Sequence, residues 1–335
     1  MIAITGGGTG GHLAIAKALA IELKNRGENV IFIGSNSGQD RMWFEHSDIF
    51  KFKYFFPSRG VVNKKGIHKF FALLNIIKLA FSCRRIFKEH NISSVISVGG
   101  YSSAPASFGA VMFRKKLFIH EQNAVKGKLN SILKPFCSKF FSSYGEHSYD
   151  YPIDRKFFNT ARVRNELKTI LFLGGSQGAS FINNLALNLA LNLKNNNINI
   201  IHQCGAKELE IIKSKYDKMG VEAVVFDFSN EIEAYMQKSD LCISRAGAST
   251  LWELCANALP AIFIPYPYAA SNHQFYNAKF LLDSNLTKIY KQNDLDENIL
   301  FIDILNLDIN SISIGLRSIV SPNGAKIIVD EILKK

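Results

Sequence analysis

The chain has 335 residues, 47% of them hydrophobic and 20% charged, a composition that suits two globular domains and excludes a disordered or collagen-like polymer. Its five cysteines lack CxxC spacing, which argues against a disulfide frame or a cysteine zinc site, and no apolar run reaches the roughly 20 residues of a membrane-spanning helix. Charge is uneven within the net +12: residues 1–163 carry 24 Lys and Arg against 10 Asp and Glu, the remainder 16 against 18, so the first half is the one suited to an anionic partner.

The chain opens "MIAITGGGTGGHLAIAKALA", an apolar strand, a glycine turn and a helical pattern. A strand at the start leaves no room for a secretory leader, so a cytoplasmic location is expected. The short apolar runs "NVIFIG", "SVISVGG" and "KLFIHEQN" follow, with helical patterns between them. Near residue 168 the series restarts with "TILFLGG" and continues through "INIIHQCG", "AVVFDF", "LCISRAG" and "PAIFIPYP". Near-continuous apolar strands alternating with helices predict parallel sheets covered on both faces. The expected fold is α/β: two doubly wound Rossmann-like domains, residues 1–160 and 161–335, facing across a cleft, with the last helix free to pack back on the first domain. In such sheets ligands bind beyond the carboxyl ends of the strands, where the glycine turns lie.

Gly6, Gly8 and Gly11 have the G-x-G-x-x-G spacing of a dinucleotide-binding turn. That motif also needs an acid at the end of the next strand, where this chain has Gly34, Ser35 and Asn36, with Asp40 too far along. A Walker loop fails as well, because His12 stands where lysine is required. Two readings remain, a turn whose free N–H groups attract a phosphate and a purely structural strand–helix turn. A second turn, "GGSQGAS", adds Ser176 and Gln177. In "SRAGASTLWELCA" a strand runs into a helix expected to begin near Ser249. There Ala248, Ser249 and Thr250 offer N–H groups and hydroxyls to a diphosphate, and Glu253 is either a ribose-binding carboxylate or the acid of a capping box. Phosphate-type turns in both halves suggest a nucleotide-linked donor meeting a phosphorylated acceptor.

In "NKKGIHKFFALLNIIKLAFSCRRIFK", Phe70, Leu74, Ile77 and Phe81 fall on one helix face, bordered by Lys64, Lys65, Lys69, Lys78, Arg84 and Arg85. The segment reads either as a core helix with a basic solvated side or as a surface for an anionic membrane, with Ile67, Phe71, Leu73 and Ile76 available to pack inward.

The ordered set "GGGTGGH", "SVGGYSSAPA", "HEQNAVKGKLN", "FLGGSQGASFIN", "SRAGASTLWELCA" and "HQFYNA" resembles the MurG family over essentially the whole chain. These are the N-acetylglucosaminyltransferases that convert lipid I to lipid II in peptidoglycan synthesis. The resemblance implies a GT-B fold and an inverting transfer of N-acetylglucosamine from UDP-N-acetylglucosamine to the muramyl 4-hydroxyl of lipid I, undecaprenyl-pyrophosphoryl-MurNAc-pentapeptide. It further implies no obligatory metal or other cofactor and work at the cytoplasmic face of the cell membrane; a nucleic-acid partner for the basic half is not expected, because no recognition motif or aromatic stacking platform appears in the sequence. By position, Thr9, Gly10, Gly11, Asn123 and Ser176 match donor contacts, as do the linker arginine Arg164, the segment Ala248, Ser249, Thr250 and Glu253, and the sugar-binding Gln274. For the base that accepts the hydroxyl proton, His12 suits by residue type, although it is equally placed to anchor a diphosphate; Glu121 is the second candidate. Competing readings are another GT-B enzyme, such as a UDP-N-acetylglucosamine 2-epimerase, and a nucleotide-binding protein without transfer chemistry.

Overall fold

The computed structural model describes residues 1–60, 66–145, 148–175 and 178–334. By its internal packing the chain divides into a first unit, Met1–Ile153 with Asn323–Lys335, and a second, Asp154–Pro322.

The first unit is built from β1 (Ile2–Thr5), α1 (Gly10–Asn25), β2 (Val30–Ser35), α2 (Asp40–Phe44), β3 (Phe52–Phe56), α3 (Gly66–Glu89), β4 (Ser94–Ser97), α4 (Ala104–Met112), β5 (Lys116–Glu121), α5 (Lys128–Leu133) and β6 (Lys139–Ser142). The strands form one parallel sheet in the order β3-β2-β1-β4-β5-β6. The central strands β1, β2 and β4 are buried along their whole length, which is why they read as unbroken apolar runs. Strand order reverses between β1 and β4, so the turns that follow them, at 6–9 and 98–101, flank the crevice where doubly wound sheets take their ligands.

The second unit comprises α6 (Arg155–Asn159), β7 (Thr169–Leu173), α7 (Ser180–Asn195), β8 (Asn199–Gln203), α8 (Leu209–Lys218), β9 (Ala223–Phe226), α9 (Ile232–Lys238), β10 (Leu241–Ser244), α10 (Ala248–Ala256), β11 (Ala261–Phe263), α11 (His273–Asp283), β12 (Thr287–Ile289), α12 (Glu297–Leu305) and α13 (Ile309–Leu316). Its parallel sheet runs β12-β11-β10-β7-β8-β9, with the reversal between β7 and β10. The glycine turn after β7 and the start of α10 therefore flank this unit's own crevice.

Residues 154–160, expected with the first domain, pack in the second unit. Asn257 donates from Nδ2 to the Phe157 carbonyl (3.2 Å) and to Thr160 Oγ1 (2.9 Å), and Lys156 reaches the Asn230 carbonyl at 2.6 Å. The closing helix α14 (Gly324–Leu333) belongs to the first unit. It buries Ile328, Val329 and Ile332, pairs Asp330 with Arg26 at 2.7 Å and Glu331 with Lys139, and starts at a glycine whose Cβ would overlap the carbonyls of Asp150 and Tyr151.

Candidate active site

In the first unit the turn after β1 is held by its neighbours rather than left open. Gly7 N–H donates to the Gly99 carbonyl at 3.1 Å, and a Cβ on Gly6 would lie 2.5 Å from that same oxygen. A Cβ on Gly7 would lie 2.5 Å from the Asp40 carboxylate. These two glycines make room for protein, so close approach of a ligand is not what their missing side chains serve. Gly8 N–H donates to Asp40 as well. The next stretch is the N-cap residue Thr9, which is exposed, then Gly10, Gly11 and His12 in the first turn of α1.

His12 is half-buried, with its ring near Gly99: a Cβ there would lie 3.2 Å from His12 Nε2. His12 Nδ1 sits 3.1 Å from Thr9 Oγ1 and 3.5 Å from Gln122 Nε2. The shorter contact is a normal hydrogen bond and the longer is at the limit of one. A neutral ring that donates Nδ1–H to Thr9 keeps its lone pair on Nε2, as a base must; a ring accepting at Nδ1 carries its proton on Nε2, as an anchor for phosphate would.

Glu121 is almost fully buried and its oxygens are already engaged. Oε1 accepts from Asn123 N (3.1 Å), and Oε2 accepts from Gly127 N (2.9 Å) and Asn130 Nδ2 (2.9 Å). It shapes the 121–130 loop and thereby sets Asn123, its oxygens engaged by three protein donors. Neighbouring His120 is fully buried, and burial, aided by the charge of His12, lowers its pKa to about 3, so it stays neutral.

In the second unit, Ser176 and Gln177 lie outside the described residues. The end of their turn is tight: Gly178 has φ +75°, and a Cβ there would sit 2.5 Å from the Cys204 carbonyl. Helix α10 starts one residue earlier than expected, with Gly247 as its N-cap and Ala248 first. The third helical position, where a capping-box acid belongs, is thus Thr250, and Glu253 lies a turn further on. The capping reading of Glu253 fails. Burial raises its carboxyl to about 7, with Asp154 and Glu233 pushing the same way and Lys156 opposing.

Arg164 is fully buried, and its guanidinium donates to the carbonyls of Arg162 (2.6 Å), Met236 (2.9 Å), Ser239 (3.2 Å) and Asn257, and to Asn257 Oδ1 (2.5 Å). Burial lowers its pKa to about 9, which leaves it charged at neutral pH. With its guanidinium donors committed to four backbone carbonyls and the Asn257 side-chain oxygen, Arg164 ties the linker to α9 and α10.

Gln274 accepts from Tyr266 N–H at 2.8 Å through Oε1. Sequence reasoning passed over two residues here. Arg245, at the end of β10, donates to the carbonyls of Ile264 (3.0 Å) and Pro265 (3.3 Å) and to Gln292 Oε1 (2.7 Å), with the rings of Phe181 and Tyr266 about its guanidinium. Buried Asn277 holds the Ala246 carbonyl at 3.2 Å, fixing the loop into α10. Both stand inside quoted motifs, where a residue type alone did not separate them from packing.

Helix α3 presents the membrane candidates. Phe70, Leu74, Ile77 and Phe81 are exposed, as are Ile67, Phe71 and Leu73; together they range from 44 to 64% exposed. Only Ile76 of the four residues given inward places is buried; Leu79, Ala80, Cys83, Ile86 and Phe87 supply the packing face. Lys69, Lys78, Arg84 and Arg85 are exposed beside the apolar group, whereas Lys64 and Lys65 lie outside the described residues. Among the described residues no single helix is long and apolar enough to cross a membrane.

The chain matches the glycosyltransferase family 28 N-terminal domain over residues 2–142 and the glycosyltransferase family 28 C-terminal domain over residues 169–315. It is 91% identical, over the full length of both chains, to the UDP-N-acetylglucosamine–N-acetylmuramyl-(pentapeptide) pyrophosphoryl-undecaprenol N-acetylglucosamine transferase of Campylobacter fetus subsp. fetus. Its structure is similar to that of MurG from Acinetobacter baumannii, with 27% identity, a TM-score of 0.80, and 100% and 99% of the two chains covered. A putative UDP-N-acetylglucosamine 2-epimerase from Listeria monocytogenes gives a TM-score of 0.66 at 10% identity with 99% and 97% covered, a likeness of fold alone.

Proposed function

The chain belongs to glycosyltransferase family 28 and has the GT-B fold, and from that premise we propose how its residues move N-acetylglucosamine from UDP-N-acetylglucosamine to lipid I to give lipid II. The carrying observation for this activity is the full-length likeness to a curated transferase, because it spans both glycine turns, α10 and α11 at once. The second unit takes the donor: the N–H groups and hydroxyls at the start of α10 receive the diphosphate, Glu253 the ribose hydroxyls, and the amide nitrogen of Gln274 the sugar. Ser176 and Asn123 are assigned further donor contacts on the resemblance. As UDP departs, the same helix start stabilises its growing negative charge.

The first unit takes the acceptor. Although the resemblance matches Thr9, Gly10 and Gly11 to donor contacts, we assign them to the acceptor's diphosphate end because they open α1 beside His12; His12 is the base, accepting the muramyl 4-hydroxyl proton on Nε2 while Nδ1–H is donated to Thr9. The Thr9 hydroxyl can donate or accept and so fits either tautomer; the assignment as base rests on residue type and on the place of His12 in the first turn of α1. The exposed face of α3 lies on an anionic membrane, which holds the enzyme peripherally at the cytoplasmic leaflet where its lipid-linked substrate resides.

The test is transfer of labelled N-acetylglucosamine to a short-chain, water-soluble lipid I analogue. Disaccharide product is expected only when both substrates are present; product from the donor alone would make the chain an epimerase. In the same assay H12A should lower kcat by about 10²–10⁴-fold and leave the donor KM in place. A loss confined to the acceptor KM would instead make His12 the anchor.

A further inference from the structure

The Asp40 carboxylate, at the start of α2, is fully buried beneath the first unit's crevice, and among the described residues no cation pairs with it. One oxygen accepts from Gly8 N–H and the other from Ser35 N–H at 2.8 Å. Space around it is fully used: a Cβ on Gly7 would approach one oxygen to 2.5 Å, and a Cβ on Gly34 the other to 2.8 Å. A third loop closes over the same point, for Tyr101 donates its hydroxyl to the Ser37 carbonyl at 2.8 Å, and Gly100 lies against the Gly7 carbonyl. Burial raises the carboxyl's pKa while the Ser35 and Gly8 N–H groups oppose the rise. Burying such a group costs free energy unless its bonds are worth more, so its position needs a reason.

We propose that Asp40 is the positioning residue of the acceptor side: by holding the Gly8 and Ser35 amides it turns Gly8 away from the ligand and sets Thr9 and His12 at a fixed angle on the first turn of α1. The proposal rests on the reading that the first unit takes the acceptor. It explains why an apparent phosphate turn spends one of its amides on a carboxylate. The carboxylate makes the turn rigid, and the anion is left to the N–H groups further along.

D40N tests it, because an amide keeps the shape but can accept at only one of the two positions. In transfer assays with UDP-N-acetylglucosamine and the water-soluble lipid I analogue, kcat/KM for the acceptor should fall on the order of 10- to 100-fold. The donor KM and the UDP dissociation constant should stay within about twofold. Hydrogen exchange at Gly8 and Ser35 should quicken while the sheet strands stay protected. Wild-type acceptor kinetics in folded D40N, or a loss shared equally by donor and acceptor, overturns the proposal. Should D40N not fold, wild-type exchange decides: the Gly8 and Ser35 amides should slow together on adding the analogue and not on adding UDP, and indifference to the analogue overturns the proposal. Wild-type protein that binds UDP yet neither binds nor glycosylates the analogue overturns the acceptor reading instead, and quickened exchange in D40N then still tells whether Asp40 holds the turn.

Discussion

Glu121 ends β5 and Glu253 lies in the second turn of α10, and their surroundings give them different work. Glu121 is saturated by three donors, whereas Glu253 faces Asp154, Glu233 and Lys156 and carries a carboxyl raised by burial to about 7. Ribose hydroxyls would donate to its ionised form, so binding UDP should draw a proton off and lower that pKa. The sign follows: UDP affinity should rise from pH 6 to pH 8 and fall as the pH drops through about 7, with protons released to the buffer on binding near neutrality. Calorimetry in two buffers of different ionisation enthalpy reads this directly. E253Q should abolish the proton release and weaken UDP by about tenfold, the worth of a charge-assisted hydrogen bond or two. A pH-independent UDP affinity in the wild-type protein would take Glu253 out of the donor site. The distinction between these two acids was not legible in the sequence, because it depends on which donors the fold brings to each. The same holds for Arg164 and Asp40. One looked like a ligand arginine and is bound wholly by carbonyls; the other looked misplaced for ribose and closes on an amide 32 residues earlier in the chain.

At the scale of elements, α3 is unusual because it turns two kinds of apolar residue in two directions. One set, from Ile76 to Phe87, packs inward; the other, from Ile67 to Phe81, stands in solvent among cations, with Arg84 5.9 Å from the Phe113 ring and Phe81 6.1 Å from the same ring. A solvated helix of a monomer rarely leaves seven large apolar residues exposed together. Replacing Lys69, Lys78, Arg84 and Arg85 with glutamate should remove binding to anionic vesicles, since each cation near the surface is worth about 1 kcal/mol. Turnover of the water-soluble analogue should be unchanged, and F70S/F81S should weaken binding even to neutral vesicles. Undiminished sedimentation with anionic vesicles would return α3 to a packing role. Periodicity made this helix legible, but only burial could tell the inward face from the outward one. The central strands were legible for the opposite reason, being buried on both faces and therefore continuously apolar. The three strands left out, β3, β6 and β12, are all edges: "FKYFF" and "KFFS" are only partly buried and begin at or beside lysines, and "TKI" is three residues long.

On the scale of the whole molecule, the chain's last helix joins the unit in which the chain began. The three aliphatic side chains that α14 buries are each worth about 1.5–3 kcal/mol, an upper estimate because the unfolded chain also hides some surface. Their loss is therefore a large share of the roughly 5–15 kcal/mol that holds a domain folded. The pairs of Asp330 with Arg26 and of Glu331 with Lys139 lie near the surface and add little beyond register. Deleting residues 323–335 should thus destabilise the first unit selectively. Read segment by segment, hydrogen exchange should quicken in β1, α1 and β6 and stay slow in β7, α7 and β10. UDP should still bind to the truncated protein with an affinity within about twofold of wild type and still slow exchange around α10, because the groups assigned to its diphosphate and ribose are carried by the second unit, whereas Asn123 is left to the sugar side of the donor. Transfer to the acceptor should be lost with the first unit's order. If exchange instead quickened equally in both sheets, or if UDP no longer protected α10, the two units would be one cooperative body and the donor site would depend on the helix that closes the chain.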